Sequence, residues 1–226
     1  MRHVIFDFFG TLVTYREGIE GNPIERARME LATHGVELPA DELAGRLSAC
    51  FAVLEDAAGQ TLREYSMNDA IEMLYGELGV ATSRHRVDRF VEAYLNDWTD
   101  SVRSLPRLGD WLAALPVRKS VLSNTHHEPM VVGLMDRLGI GDAFDRLTTS
   151  ISHGFRKPHP SIYEAHLEAL GIAANEAVFV GDNVECDFVA TRRVGMEAYL
   201  VSARPVSGVA ERYRLAHLYQ LGERLT

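Results

Sequence analysis

Cysteine is nearly absent: the 226 residues contain two, Cys50 and Cys186. Two thiols are too few for a disulfide framework or a Cys-rich zinc site. No stretch approaches the roughly 20 apolar residues that span a bilayer. The opening run Met1-Arg2-His3-Val4-Ile5-Phe6-Asp7 has no long apolar segment or small-residue cleavage site of a secretory signal. Positive charge is scarce, with 23 Lys plus Arg against 32 Asp plus Glu and a formal charge of −9. That balance argues against a nucleic-acid or anionic-membrane surface, which needs clustered Lys and Arg. Neither Gly-x-x-x-x-Gly-Lys nor Gly-x-Gly-x-x-Gly occurs, so nucleotide cofactors are not indicated. The expectation is a cytoplasmic protein, monomer or homodimer, with no nucleic-acid or membrane partner. The remaining composition, 46% apolar or aromatic and 24% charged, is that of a globular chain. Its length allows one large domain or two unequal ones.

The hydrophobic pattern divides the chain. Val4-Ile5-Phe6 is a short buried-strand run ending at Asp7 and a Gly-containing turn. Residues 14–98 then read as helical hairpins. Pro23 opens a first helix carrying Ile24, Ala27 and Leu31, and Gly35 ends it. Leu43, Leu47, Cys50, Phe51 and Leu54 mark a second. Asn68 is expected to cap a third helix and Ser83 a fourth, the latter bearing Val87, Phe90, Val91, Tyr94 and Leu95. From Pro106 onward, strands and helices alternate. Strands are expected at 117–123, 146–152, 177–180 and 197–201. Helices are expected at 108–115, after a Thr125–Glu128 capping box, and at 160–170, 184–194 and 209–219. Alternation implies right-handed crossovers and a parallel sheet. The predicted fold is α/β: a Rossmann-like parallel sheet flanked by helices, built from 1–13 and 99–226, with an α-helical domain inserted at 14–98.

Polar residues gather at the predicted strand ends: Asp7, then Ser123-Asn124, then Lys157, then Asp182 with Asp187 five residues on. In a parallel sheet these ends share the edge where ligands bind. Crowded carboxylates repel one another, a divalent cation relieves that, and an oxygen-rich donor set suits magnesium.

The ordered set Asp7-Phe8-Phe9-Gly10-Thr11-Leu12, Leu122-Ser123-Asn124, Lys157-Pro158 and Gly181-Asp182-Asn183-Val184-Glu185-Cys186-Asp187 resembles the haloacid dehalogenase superfamily of hydrolases. The helical segment falls where that superfamily's helical-cap subgroup inserts its cap. The resemblance implies a small-molecule substrate, a phosphorylated metabolite or a halogenated acid. It implies that Asp7 is the nucleophile and forms a covalent intermediate. Ser123, Asn124, Lys157 and Thr11 would bind substrate, and Lys157 would also neutralise negative charge. Asp182 would hold Mg²⁺ together with Asp7 and the backbone carbonyl of Phe9. Asp187 would support the metal or orient Lys157.

One position departs from the pattern. The family's phosphatases usually carry a second aspartate two residues after the nucleophile, as proton donor to the leaving oxygen. Here that residue is Phe9. An aromatic there resembles the family's 2-haloacid dehalogenases, which expel halide without a proton or a metal. Those generally lack the first acid of the fourth motif, whereas Asp182 is present. They also use a halide-binding arginine, for which Arg16, Arg26 and Arg28 are the candidates. Two enzymatic readings follow, a magnesium-dependent phosphohydrolase and a metal-independent dehalogenase. A third is a low-activity binding or regulatory protein on the same scaffold.

Overall fold

The computed structural model describes residues 3–15 and 24–225. Arg16 and Pro23 lie outside that range. The chain forms two compact units, 1–14 with 103–226 and 15–102.

The first unit is an α/β core. Its sheet has six strands, β1 His3–Phe6, β4 Arg118–Ser123, β5 Leu147–Thr149, β6 Ala177–Gly181, β7 Glu197–Val201 and β8 Arg214–Leu215. They lie in the order β5-β4-β1-β6-β7-β8, every pair parallel. This is the Rossmann-like α/β fold that the alternating pattern implies. Strand β1 is central because it is apolar on both faces: Val4, Ile5 and Phe6 are fully buried. The chain order reverses on either side of β1, so the carboxyl ends of β1, β4 and β6 open onto one crevice.

Helices cover the sheet. On one face Ile162, Tyr163 and Leu167 of α8 (Pro160–Leu170) pack with Ile5, Leu122, Phe179 and Leu200. On the other, Phe6 meets Trp111 and Phe144 edge-on at 6.1 and 6.2 Å. Beneath α8 runs a buried polar ladder. His3 Nε2 lies 2.8 Å from Ser120 Oγ, Ser120 Oγ lies 2.8 Å from His166 Nε2, and His166 Nδ1 lies 2.8 Å from Thr148 Oγ1. It joins β1, β4, β5 and α8 through hydrogen bonds between ring nitrogens and hydroxyls. Burial lowers both histidines, His166 to about 3.

The second unit is helical: α1 Glu25–Ala32, α2 Ala40–Thr61, α3 Met67–Leu78 and α4 Arg84–Thr99. Its inward faces carry the expected residues, among them Leu31, Leu43, Leu47, Ile71, Leu74, Phe90 and Val91. Chain exit and return sit side by side in the core, where β2 (Val13–Thr14) pairs antiparallel with β3 (Arg103–Ser104). Among the described residues, no helix is long and apolar enough to cross a membrane.

Several local expectations shift. Ser66, not Asn68, caps α3, because Ser66 and Asp69 form a reciprocal capping box. Helix α6 (Glu128–Arg137) starts later than the Thr125 box implies. His127 Nδ1 accepts from the Met130 amide, and Glu128 instead takes the Thr149 hydroxyl at 2.5 Å. The strand expected at 146–152 stops at Thr149, whose side chain caps the short helix α7 (Ser150–His153). Residues 209–219 form no α-helix: 3-10 turns at Glu211–Tyr213 and Leu218–Gln220 flank a short strand, β8. Leu215 is buried by parallel pairing of β8 with β7, which closes an otherwise open sheet edge. Residues 184–194 are a π-helical turn, Val184–Val189, followed by α9, Ala190–Arg193.

Candidate active site

Asp7 directly follows β1, where the Asp7 amide still donates to Val180 O at 2.9 Å. The next residues turn sharply. Gly10 has φ +84°, and a Cβ there would overlap the Asp182 carboxylate. The glycine therefore lets the turn after β1 lie against the acid at the end of β6. Thr11, buried in that turn, donates to Asp182 Oδ1 at 3.1 Å. Thr11 is thus engaged with the carboxylate expected to hold metal.

Lys157 is the centre of charge. Its Nζ donates to Asp7 Oδ1 at 2.9 Å and to Asp187 Oδ1 at 2.7 Å. The lysine is 3% exposed and Asp187 is fully buried. The Phe179 ring lies 5.2 Å from the ammonium. Burial opposes the lysine's charge, but Asp187 and Asp7 more than offset it and hold Lys157 above its ordinary range. Burial also pushes Asp7 up to about 7, against the attraction of Lys157 and with the repulsion of Asp187. Asp182 faces solvent but is raised too, first by partial dehydration and then by Asp187, with the Thr11 hydroxyl opposing.

Asp187 owes its position to the turn that carries it. Its second oxygen accepts from the Asn183 amide at 2.9 Å, and its own amide donates to Asn183 O at 2.8 Å. A π-helical turn spoils the ordinary i→i−4 ladder. Here side chains serve the carbonyls: Tyr163 Oη donates to Cys186 O at 2.5 Å, and Thr191 Oγ1 donates to Asp187 O at 2.7 Å. Neither Tyr163 nor Thr191 was among the residues singled out from sequence. A tyrosine on the inward face of α8 was the available signal, because a buried phenol needs a hydrogen-bond partner.

Asp7, Asp182 and Asp187 each place a carboxylate oxygen within 4.8 Å of the others'. Ser123 ends β4 and is buried; its hydroxyl makes one long bond, 3.4 Å to Asn124 O. Asn124 turns onto the Lys157 backbone. Phe9 is half-buried and meets Phe8 edge-on at 4.9 Å. Cys186 is half-buried, and burial raises its thiol to about 11.

The sequence profile of haloacid dehalogenase-like hydrolases matches residues 1–195. The chain belongs to this family. Within the haloacid dehalogenase-like hydrolases, it is 35% identical over 85 residues to human haloacid dehalogenase-like hydrolase domain-containing protein 3. That match covers 38% of this chain and 33% of the human protein. It is 32% identical over 104 residues to the glyceraldehyde 3-phosphate phosphatase of Methanopyrus kandleri, covering 46% of this chain and 42% of that protein. The matched segments thus span less than half of either curated relative. Among solved structures, the 2-haloacid dehalogenase of Pseudomonas syringae pv. Tomato DC3000 superposes with TM-score 0.78 at 21% identity, over 100% of this chain and 98% of that one. A haloacid dehalogenase-type phosphatase from Thermococcus onnurineus gives 0.61 at 22% identity with the same coverage. Both likenesses establish a shared fold.

Proposed function

We propose that the protein is a phosphohydrolase that works through a covalent aspartyl intermediate on Asp7. The observation that carries this reading is the charge count at the sheet edge. Among the described residues, three carboxylates stand within 4.8 Å of one another around the Lys157 ammonium, which engages Asp7 and Asp187 but not Asp182. The remainder, one positive against three negative charges, calls for a cation. Its donors are carboxylate oxygens, the chemistry that magnesium takes. Asp7, Asp182 and the Phe9 carbonyl would hold Mg²⁺. When bound, the ion supplies positive charge to the phosphoryl oxygens and lowers Asp7 back toward its ionised form.

The chain's own residues do the rest. An Asp7 carboxylate oxygen attacks phosphorus, and the bond from phosphorus to the leaving oxygen breaks with its electron pair on that oxygen. Ser123 holds a non-bridging oxygen and Lys157 neutralises the transferring group, which is the main requirement of phosphoryl transfer. Water then attacks phosphorus, displaces the Asp7 carboxylate and frees phosphate. Phe9 offers no proton to the leaving oxygen, so the substrates are esters or anhydrides whose leaving oxygen is stable as an anion. Acyl and aryl phosphates are of this kind. The helical unit would act as the cap that selects among them.

The same Phe9 favours a second reading, a metal-independent 2-haloacid dehalogenase in which Asp7 displaces halide from carbon. The assay separates them. Hydrolysis of an aryl phosphate that stops in EDTA and returns with Mg²⁺ supports the first. Halide release from a 2-haloacid that EDTA leaves unchanged, with no phosphate ester cleaved, overturns it. Failure of both activities favours the binding or regulatory reading.

A further inference from the structure

We propose that Asn124 is a positioning residue that aims Lys157 rather than a group that touches substrate. The inference rests on the reading of Lys157 as the charge-neutralising group. Asn124 Oδ1 accepts from the Lys157 amide at 2.8 Å, and Asn124 Nδ2 donates to the Lys157 carbonyl at 3.0 Å. The pairing fixes which end of the amide is which, since a flipped side chain would set donor against donor and acceptor against acceptor. One side chain thus clamps both polar groups of a single residue 33 positions away.

The clamp matters because of where Lys157 sits. It lies between α7 and α8, outside helix and strand, so no regular ladder sets its backbone. Fixing the amide and the carbonyl on either side of Cα sets the direction of Cα–Cβ. The ammonium at the other end of the chain is set by Asp7 and Asp187. Asn124 itself follows Ser123 at the end of β4, so the clamp ties the Lys157 backbone to the central sheet. Without it, four side-chain torsions and a loose backbone would have to be ordered by the two carboxylates alone.

The test uses Asn124→Ala and Asn124→Asp in the full chain. Hydrogen exchange at the Lys157 amide is expected to accelerate in Asn124→Ala. It is expected to accelerate less in Asn124→Asp, which keeps the acceptor for the Lys157 amide but sets an oxygen against the Lys157 carbonyl; slow exchange at the β1 amides shows that both variants are folded. For aryl phosphate hydrolysis, kcat should fall about tenfold to a hundredfold in Asn124→Ala while KM moves less than about twofold. Binding of inorganic phosphate should weaken in Asn124→Ala, yet not weaken further when Asn124→Ala is added to Lys157→Ala. A raised KM with unchanged kcat, or the same loss of phosphate affinity with and without Lys157, would overturn the proposal. Unchanged Lys157 exchange would do so as well. Should the parent protein cleave no phosphate ester, the reading of the function fails by itself. The kcat-against-KM split is then taken on the 2-haloacid, and the exchange measurement judges the clamp regardless.

Discussion

A methyl group at Gly181 would occupy the space that the Asp187 carboxylate fills. The last residue of β6 is thus bare so that the acid six positions on can fold back beside it and reach Lys157. Gly181→Ala is expected to destabilise the fold by about 1–3 kcal/mol and to lower kcat at least tenfold. Denaturant midpoints and steady-state rates check this. A fully active Gly181→Ala would show that Asp187 has another place to go.

Tyr163 reaches the turn that carries Asp187 from α8. Its phenol satisfies the Cys186 carbonyl in the π-helical turn. Removing the hydroxyl by Tyr163→Phe leaves that carbonyl short of a donor, at a cost of about 1 kcal/mol. The expected outcome is a lower urea midpoint and a few-fold drop in kcat. An unchanged midpoint would mean that Thr191 alone holds the turn.

The His3–Ser120–His166–Thr148 ladder makes stability depend on pH. Buried His166 is neutral down to about pH 3, whereas the unfolded chain takes up a proton near 6.5. The folded pKa is the lower one, so the contribution is complete above about pH 6.5 and is lost as pH falls toward 3. Over that window it amounts to roughly 5 kcal/mol. Thermal melts at pH 7.5 and pH 5 should differ markedly for the parent and less for His166→Gln. Equal pH dependence in the two proteins would remove the ladder from the explanation.

Phe9 stands where a proton donor would help a poor leaving group. Phe9→Asp is expected to raise turnover of an alkyl phosphate at least tenfold and up to the ~10²–10⁴ that general acid–base help provides, and to change aryl phosphate turnover little. Rates on the paired substrates give the answer. No gain on the alkyl ester would show that Phe9 serves packing against Phe8.

Much of this architecture is legible in the chain itself. Val4-Ile5-Phe6 ending in Asp7, and Ala177-Val178-Phe179-Val180 ending in Gly181-Asp182, are buried runs that stop at a carboxylate. Such runs become the central strands β1 and β6. Helix α8 also follows from local signals, with Pro160 at its first position and Gly171 past its end. What escapes is decided between distant residues. The direction of the Asn124 amide depends on a backbone 33 residues away. Residues 214–215 become a strand through the exposed edge of β7, and the turn at 184–189 widens around hydroxyls from Tyr163 and Thr191. Ser66 over Asn68 is a closer contest, settled by the reciprocal reach of Asp69.

Thr14 and Arg103 are direct partners across the short antiparallel pair β2–β3. The chain therefore leaves the α/β unit and returns to it one strand spacing away, about 4.8 Å. Whatever lies between those two points leaves the parallel register untouched. Loop-closure entropy grows only slowly with the number of residues spanned. The doorway, not the contents, is what the hydrolase scaffold has to maintain, so helices of other lengths and surfaces can be exchanged there while Asp7 and Lys157 stay where they are.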